Sequence, residues 1–448
     1  MTFDPAAIDR IADALAGALH VPYAPPHIYP MAAPVFRAAA GAARTRRGDG
    51  PLAVYVHVPF CNYACTFCFY AKRIGDDEAA KARYVDAAVR ELAWIPPGTG
   101  LRHLYLGGGT PTALPPHLLD RLLGAVLDRT VREPRARWCV ESSPESVTPA
   151  HVDVLRAHGV GRVSVGVQSL DAGELDRVHR RHAPAHALDV LRMLVASGFV
   201  VNVDLIYGLP GQTEATFARA FADVVATGVD AVTTYSLRVN ERTPVARALA
   251  PAERLDLPRK LHWRAHVKRT ADALGFVQTR WHTFVRPDGG QAPGPDAIDD
   301  TGSTGDQFGA GPSARSRLAA TVYRNHADLD AWRARVEAGE SPVAETFALA
   351  DQDRRIRFLG QSLGDGRPLD RGAWQATFGT PIEAEFGPVL DRLRAADLVA
   401  DEGDTLALTP TGQLVHDLVT LAFYPPATQA WLSERQAAAL APRPRATS

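Results

Sequence analysis

Cysteine is scarce in this chain of 448 residues. Only four are present, and three of them, Cys61, Cys65 and Cys68, fall within eight positions, while Cys139 stands apart. Such low use, with the thiols clustered, disfavours a disulfide framework and fits a reducing compartment. Long apolar runs are missing too: no stretch of about 18 apolar residues occurs, so no membrane-spanning helix is expected. An excess of either charge is also lacking, with 49 basic residues against 50 acidic ones. Nothing in that balance points to a nucleic-acid or membrane-surface partner. The opening Met1-Thr2-Phe3-Asp4-Pro5 has no basic-then-apolar export pattern, and a cytoplasmic location is expected. The length suits two or three domains.

What is present is organised around Cys61-Asn62-Tyr63-Ala64-Cys65-Thr66-Phe67-Cys68-Phe69-Tyr70, a C-x3-C-x2-C motif leaving an apolar run that ends His57-Val58-Pro59-Phe60. Three thiolates at this spacing can hold three irons of one [4Fe–4S] cube. The fourth iron would lack a protein ligand and could bind a small molecule and pass it an electron. A zinc site or a redox pair is the other reading of C-x2-C. Zinc usually takes four ligands, and no second pair or nearby Cys/His set is visible. His57 is close, but its side chain is expected to belong to the strand. Phe60, Tyr63, Phe67, Phe69 and Tyr70 interleave with the cysteines and are expected to keep water from a cluster.

Residues 1–50 read as an N-terminal arm, with a short helix around Ala6–Leu19 and an extended Pro-rich stretch from Val21 to Pro30. Its Tyr23, His27 and Tyr29 either pack on the surface or drape over the site. From 51 to about 245 apolar strand-like runs appear at Leu52–Val58, Leu101–Leu106, Trp138–Glu141, Arg162–Val167, Val200–Ile206 and Ala231–Leu237. Helix-like segments lie between them, a pattern of parallel strands with crossover helices. Six strands suit an α/β fold, an incomplete (β/α)6 relative of the TIM barrel, in which chemistry gathers at the carboxyl ends of strands.

The candidate site residues fall at those ends. After the second strand, Gly107-Gly108-Gly109-Thr110 reads as a tight turn or as a backbone cradle for a charged head. Glu141 ends the third strand and could cap the next helix or meet a ligand. Cys139, two positions earlier, points the same way and reads as a buried structural thiol. Gln168 ends the fourth strand with an amide free for a ligand. Asp204 sits inside the apolar fifth strand and needs a partner there. Further on come a helix over about Ala252–Leu274, a barrel extension over 246–345 with a mobile loop at 289–305, and a C-terminal domain over 346–430. The tail, 431–448, is expected to be disordered.

These motifs, in this order, resemble the radical S-adenosylmethionine (SAM) superfamily, and more narrowly the branch of oxygen-independent coproporphyrinogen III oxidase. The resemblance runs over roughly 52–245, its most specific element being Asp204-Leu205-Ile206-Tyr207-Gly208-Leu209-Pro210-Gly211-Gln212-Thr213. It implies a [4Fe–4S] cluster on Cys61, Cys65 and Cys68. It also implies SAM held by Tyr55, Phe67, Gly108, Gly109, Thr110, Glu141, Gln168, Arg180 and Asp204. Arg177 and Arg181 are near enough to compete with Arg180, and core packing explains Tyr55 equally well. Gly309-Ala310-Gly311-Pro312-Ser313-Ala314 is similar to a family segment near a second SAM, so two SAM molecules are considered. The C-terminal region resembles the family's α-rich, winged-helix-like domain. The family further implies an electron donor such as flavodoxin or ferredoxin, and a small-molecule substrate. Two departures stand out: Tyr70 replaces a further cysteine of the oxidase proper, and the H-N-x-x-Y-W element of the haem-chaperone relatives is missing. On that ground the expectation is a radical SAM enzyme of the C-methyltransferase or cyclopropanase type, acting on a natural product. The alternatives are porphyrinogen decarboxylation and a haem chaperone.

Overall fold

The computed structural model describes residues 37–44, 50–75, 77–239, 243–249, 253, 255, 257–280, 282–287 and 305–430. The expected helix and aromatic residues of the N-terminal arm, the loop up to residue 304 and the tail from 431 lie outside these residues.

Six parallel strands carry the fold: β1 (Leu52–Val58), β2 (Thr99–Gly108), β3 (Thr130–Ser142), β4 (Arg162–Gln168), β5 (Val200–Tyr207) and β6 (Ala231–Ser236). They pair in sequence order, as the alternation of strand and helix implies. Alternation along each strand splits its side chains between two environments. Val54, Val56, Leu104, Leu106, Trp138, Val140, Val163, Val165, Val201, Val203 and Val232 belong to one apolar cluster under the helices. Each such side chain contributes about 1.5–3 kcal/mol on burial. The alternate residues, Tyr55, His57, Tyr105, Glu141, Ser164, Asn202, Asp204 and Thr233, face the lumen and carry the polar chemistry.

The covering helices begin at defined caps. Asp77 accepts from the Ala80 amide to start α1 (Glu78–Leu92), and Thr148 caps the helix over Pro149–Ala157. Thr213 caps Glu214–Ala226. Beside it, Gln212 accepts from the Gly208 amide at 2.6 Å and donates to buried Glu174 at 3.0 Å. The Gln-Thr end of the family's most specific motif therefore shapes a turn and a helix start.

The sheet extends beyond six strands. On the β1 side it adds Gln307–Ala310, parallel to β1, then Arg315–Leu318, Thr321–Asn325, Val343–Ala348 and the short Arg37–Ala38. Beyond β6 come Thr283–Val285 and Val277–Arg280, both antiparallel. The result is an open, mixed sheet of thirteen strands among the described residues. Strand β3 is longer than the expected Trp138–Glu141. Its first half, Thr130–Arg137, is too polar to read as a strand, yet Thr130–Arg132 pair with Thr99–Leu101 and Arg137 with His103, on either side of a register shift.

Residues 351–421 form a second apolar unit, with helices such as Asp351–Gln361, Arg371–Phe378 and Ile382–Ala395 and a three-stranded antiparallel sheet. The α-rich, winged-helix-like expectation fits this arrangement. Leu261, from the helix over Leu257–Ala273, joins its core. On that helix Arg264 donates to both carboxylate oxygens of Asp417, at 2.9 and 2.8 Å. A second anchor is Glu91 of α1, fully buried. It accepts from the Gly311 amide, Asn325 Nδ2 and Trp332 Nε1, each at 2.8 Å, and pairs with Arg44 at 2.9 Å.

Candidate active site

The cysteine loop leaves β1 and is gripped on one side by the glycine turn after β2. Gly109 N–H donates to the Val58 carbonyl at 2.8 Å and Thr110 N–H to the Phe60 carbonyl at 2.7 Å. The Thr110 hydroxyl points at Cys61 Sγ, 3.7 Å away. A Cβ on residue 109 would stand 2.6 Å from the Phe60 carbonyl and 3.0 Å from Cys61 Sγ, so only glycine fits. On the other side His57 Nε2 meets the Ala71 carbonyl at 3.1 Å. A carbonyl only accepts, so Nε2 carries the proton and Nδ1 accepts the Tyr55 hydroxyl, also at 3.1 Å. His57 thus belongs to β1, as expected, and also ties down the end of the cysteine loop.

Burial pushes the Cys61 thiol up to about 11, against the Thr110 hydroxyl bond that lowers it, and raises Cys65 against Arg180. The three thiols lie near enough for Cys65 and Cys68 to add to the Cys61 shift. Among the described residues no three Cys, His, Asp or Glu side chains converge on a single ion. Three thiols that feel one another, with an O–H donor aimed at Cys61 and an N–H donor at Cys65, fit an iron–sulfur cluster.

Of the expected SAM residues, Phe67 belongs to this loop, Gly109, Thr110 and Arg180 reach it, and the others lie on the strands beside them. Glu141 accepts the Tyr105 hydroxyl at 2.6 Å and the Gly108 N–H at 3.1 Å, and the N-cap of the next helical turn is Ser143. Gly108 has φ +112°, and a Cβ there would stand 2.6 Å from the His57 ring. Gln168 has φ +71°, a rare conformation for a side-chain residue, at a register shift of β4. Arg180 donates to the Gly166 carbonyl, lies 3.7 Å from Cys65 Sγ and covers the Tyr63 ring. Arg181 is exposed, and Arg177 is exposed beside Gly211, so of the three arginines only Arg180 reaches the cysteine loop. Asp204 finds the partners its burial requires: Asn202 Nδ2 donates to it at 2.9 Å, and Asn202 is held by Ser164 and Thr233 at 2.8 Å each. Burial pushes Asp204 up to about 6, against Arg162 and these hydrogen bonds. Tyr55 faces the lumen and stacks on Tyr105, with ring centroids 6.1 Å apart. Cys139 is buried in β3, as expected.

Some readings change. Phe60 and Tyr63 are buried, but Phe69 and Tyr70 are 44% and 54% exposed and stack on each other at 4.7 Å, so these two do not shield the cysteines. Phe67 packs into a small apolar group with Val178, Ile206 and Leu209. The glycines of 309–311 have packing reasons: a Cβ on Gly309 would meet the Arg315 carbonyl at 2.3 Å, and one on Gly311 the His57 carbonyl at 2.4 Å. Tyr105 and Asn202 were not singled out from sequence. Their signal was strand alternation, which sets each on the same face as a chosen residue two positions along or on the next strand.

The model of the Radical SAM superfamily matches residues 55–224. The heme chaperone HemW of Mycobacterium tuberculosis is 31% identical over 82% of this chain and 94% of its own length. The oxygen-independent coproporphyrinogen III oxidase of Paracoccus denitrificans is 28% identical over 89% and 91%. Among solved structures, coproporphyrinogen III oxidase (HemN) from Escherichia coli superposes with a TM-score of 0.76 at 25% identity, covering 84% of this chain and 91% of that one. These near full-length likenesses overturn the expectation of C1 transfer on a natural product. That expectation leaned on two local departures, Tyr70 and a missing element after the barrel, and neither moves the chain out of the branch. The cofactors are a [4Fe–4S] cluster and SAM. The chain belongs to the radical SAM superfamily, in the branch of coproporphyrinogen III oxidase and HemW.

Proposed function

We propose that this chain is a SAM-cleaving enzyme acting on a porphyrinogen-type tetrapyrrole, with oxidative decarboxylation as its reaction. The observation that carries the reading is Arg180, which joins the cysteine loop at Cys65 to the end of β4 at Gly166, inside the ring of expected SAM residues. The substrate class follows from relatives that are coproporphyrinogen III oxidases. Held by Cys61, Cys65 and Cys68, the cluster would supply the electron for reductive cleavage of SAM and so the means of taking hydrogen from a substrate.

The remaining work falls to the chain. Cys61, Cys65 and Cys68 are the ligands; Thr110 and Arg180 direct hydrogen bonds at two of the sulfurs. Glu141 and the Gly108–Thr110 turn offer a carboxylate and backbone groups to the amino-acid end of SAM, with Arg180 opposite as the cation for its carboxylate. Asp204, Gln168 and Tyr55 line the lumen for the nucleoside. Buried Phe60 and Tyr63 exclude water. A small one-electron carrier, flavodoxin or ferredoxin, would supply the electron for SAM cleavage, and a one-electron acceptor would take up the electron released when the substrate radical loses CO2 and forms the vinyl group.

A second reading, a haem chaperone, is favoured by the 31% identity to HemW. One anaerobic experiment separates them. Iron-reconstituted protein is given SAM, dithionite and coproporphyrinogen III, and 5′-deoxyadenosine and the decarboxylated product are quantified; haem is titrated separately by its Soret band. Both products forming together supports the oxidase. Stoichiometric haem binding with no SAM cleavage would replace it by the chaperone.

A further inference from the structure

We propose that Tyr105 is a positioning residue for SAM: its hydroxyl holds the Glu141 carboxylate in the orientation that receives the α-ammonium group of the methionyl moiety. The proposal rests on the reading of Glu141 as a SAM contact. Tyr105 lies on β2 and Glu141 on β3. Tyr105 pairs in register with Cys139, so Glu141 stands one step further along the same lumen face. The phenol donates to Glu141 Oε1 at 2.6 Å, the short distance of a charge-assisted bond, while the Gly108 N–H holds Oε2 at 3.1 Å. Both oxygens are thereby fixed by donors on β2.

The first glycine of the triplet makes this clamp possible. A Cβ on residue 107 would stand 2.8 Å from the Tyr105 ring and 2.9 Å from Glu141 Oε2, between the two partners. Gly107 is therefore required by the pair, as Gly108 is by His57 and Gly109 by the cysteine loop. The Tyr105 ring is set in turn by its stack on Tyr55. Burial and the Glu141 charge raise the phenol well above its ordinary value, so it remains a donor across the physiological range.

Tyr105→Phe keeps the ring and its packing and deletes one hydroxyl. The test compares dissociation constants of the iron-reconstituted parent and variant for SAM and for 5′-methylthioadenosine, which has the nucleoside but no ammonium. Loss of a charged hydrogen bond predicts SAM binding about 10-fold weaker, with methylthioadenosine binding unchanged. Glu141→Gln should weaken SAM comparably, and the double variant should be no weaker than Glu141→Gln alone. SAM affinity within two-fold of the parent, or equal losses for both ligands, would overturn the proposal and leave Tyr105 a packing residue. If Glu141→Gln bound SAM as tightly as the parent, the failure would lie with the reading of Glu141 as a SAM contact.

Discussion

Arg180 Nη1 stands 3.7 Å from Cys65 Sγ while its Nη2 donates to the Gly166 carbonyl, so one guanidinium spans the cysteine loop and the end of β4. Arg180→Met should lower the rate of 5′-deoxyadenosine release by roughly 10- to 100-fold, the value of a hydrogen bond to a charged group. Iron content should stay at the parent level, because the three ligands are untouched. Parallel loss of iron would mean that Arg180 builds the loop rather than serves SAM.

Cys61→Ala, Cys65→Ala or Cys68→Ala should each bring bound iron from about four per chain to near zero. Cys139→Ala should keep it, since that thiol is buried in β3, in register with Tyr105, and is not one of the three cysteines of the loop. Gly109→Ala should resemble the ligand variants, because its Cβ would collide with the Phe60 carbonyl. Iron analysis and the visible absorbance of reconstituted protein read all five.

Asp204 ties stability to pH. Its folded value is about 6, against an ordinary 3.8, so between about pH 4 and 6 the folded state holds more protons than the unfolded one. Stability from this group is fully present below pH 4 and is lost as pH rises through 6. Two units correspond to about 3 kcal/mol. Asp204→Asn keeps the shape without the charge and should melt above the parent at pH 8, with the difference closing near pH 4. Melting curves at both values decide it; a gap at pH 4 as large as at pH 8 would show that the charge is not the cause.

Arg44 and Glu91 form a buried pair, with Arg44 also 4.3 Å over the Phe308 ring. Breaking such a pair leaves a buried charge uncompensated, so Arg44→Ala should cost about 3–5 kcal/mol. Arg44→Met removes the charge but keeps an aliphatic cover on Phe308, so it should cost nearly as much in denaturant unfolding. A loss for Arg44→Met much smaller than that for Arg44→Ala would assign the effect to packing on Phe308.

The cysteine loop, the six parallel strands and their order were legible from the residues, because they rest on local rules: ligand spacing, apolar runs, and helix caps such as Thr148 and Thr213. The candidate SAM residues were legible only through family resemblance. The reaction type was misread, since Tyr70 and a missing short element are local signals, whereas the branch is written across more than four-fifths of the chain. Tertiary structure decided what no spacing encodes. It chose Arg180 over Arg177 and Arg181, because only one of three neighbouring arginines points back at Cys65. It turned Phe69 and Tyr70 outward, although their sequence position beside Cys68 suggested shielding. It gave the three adjacent glycines three separate reasons, and it closed Tyr105, Gly107 and Glu141 into one clamp. Such relations depend on which side chains from different strands meet in the lumen, and that follows from register and sheet curvature, quantities set by the packing of the whole sheet.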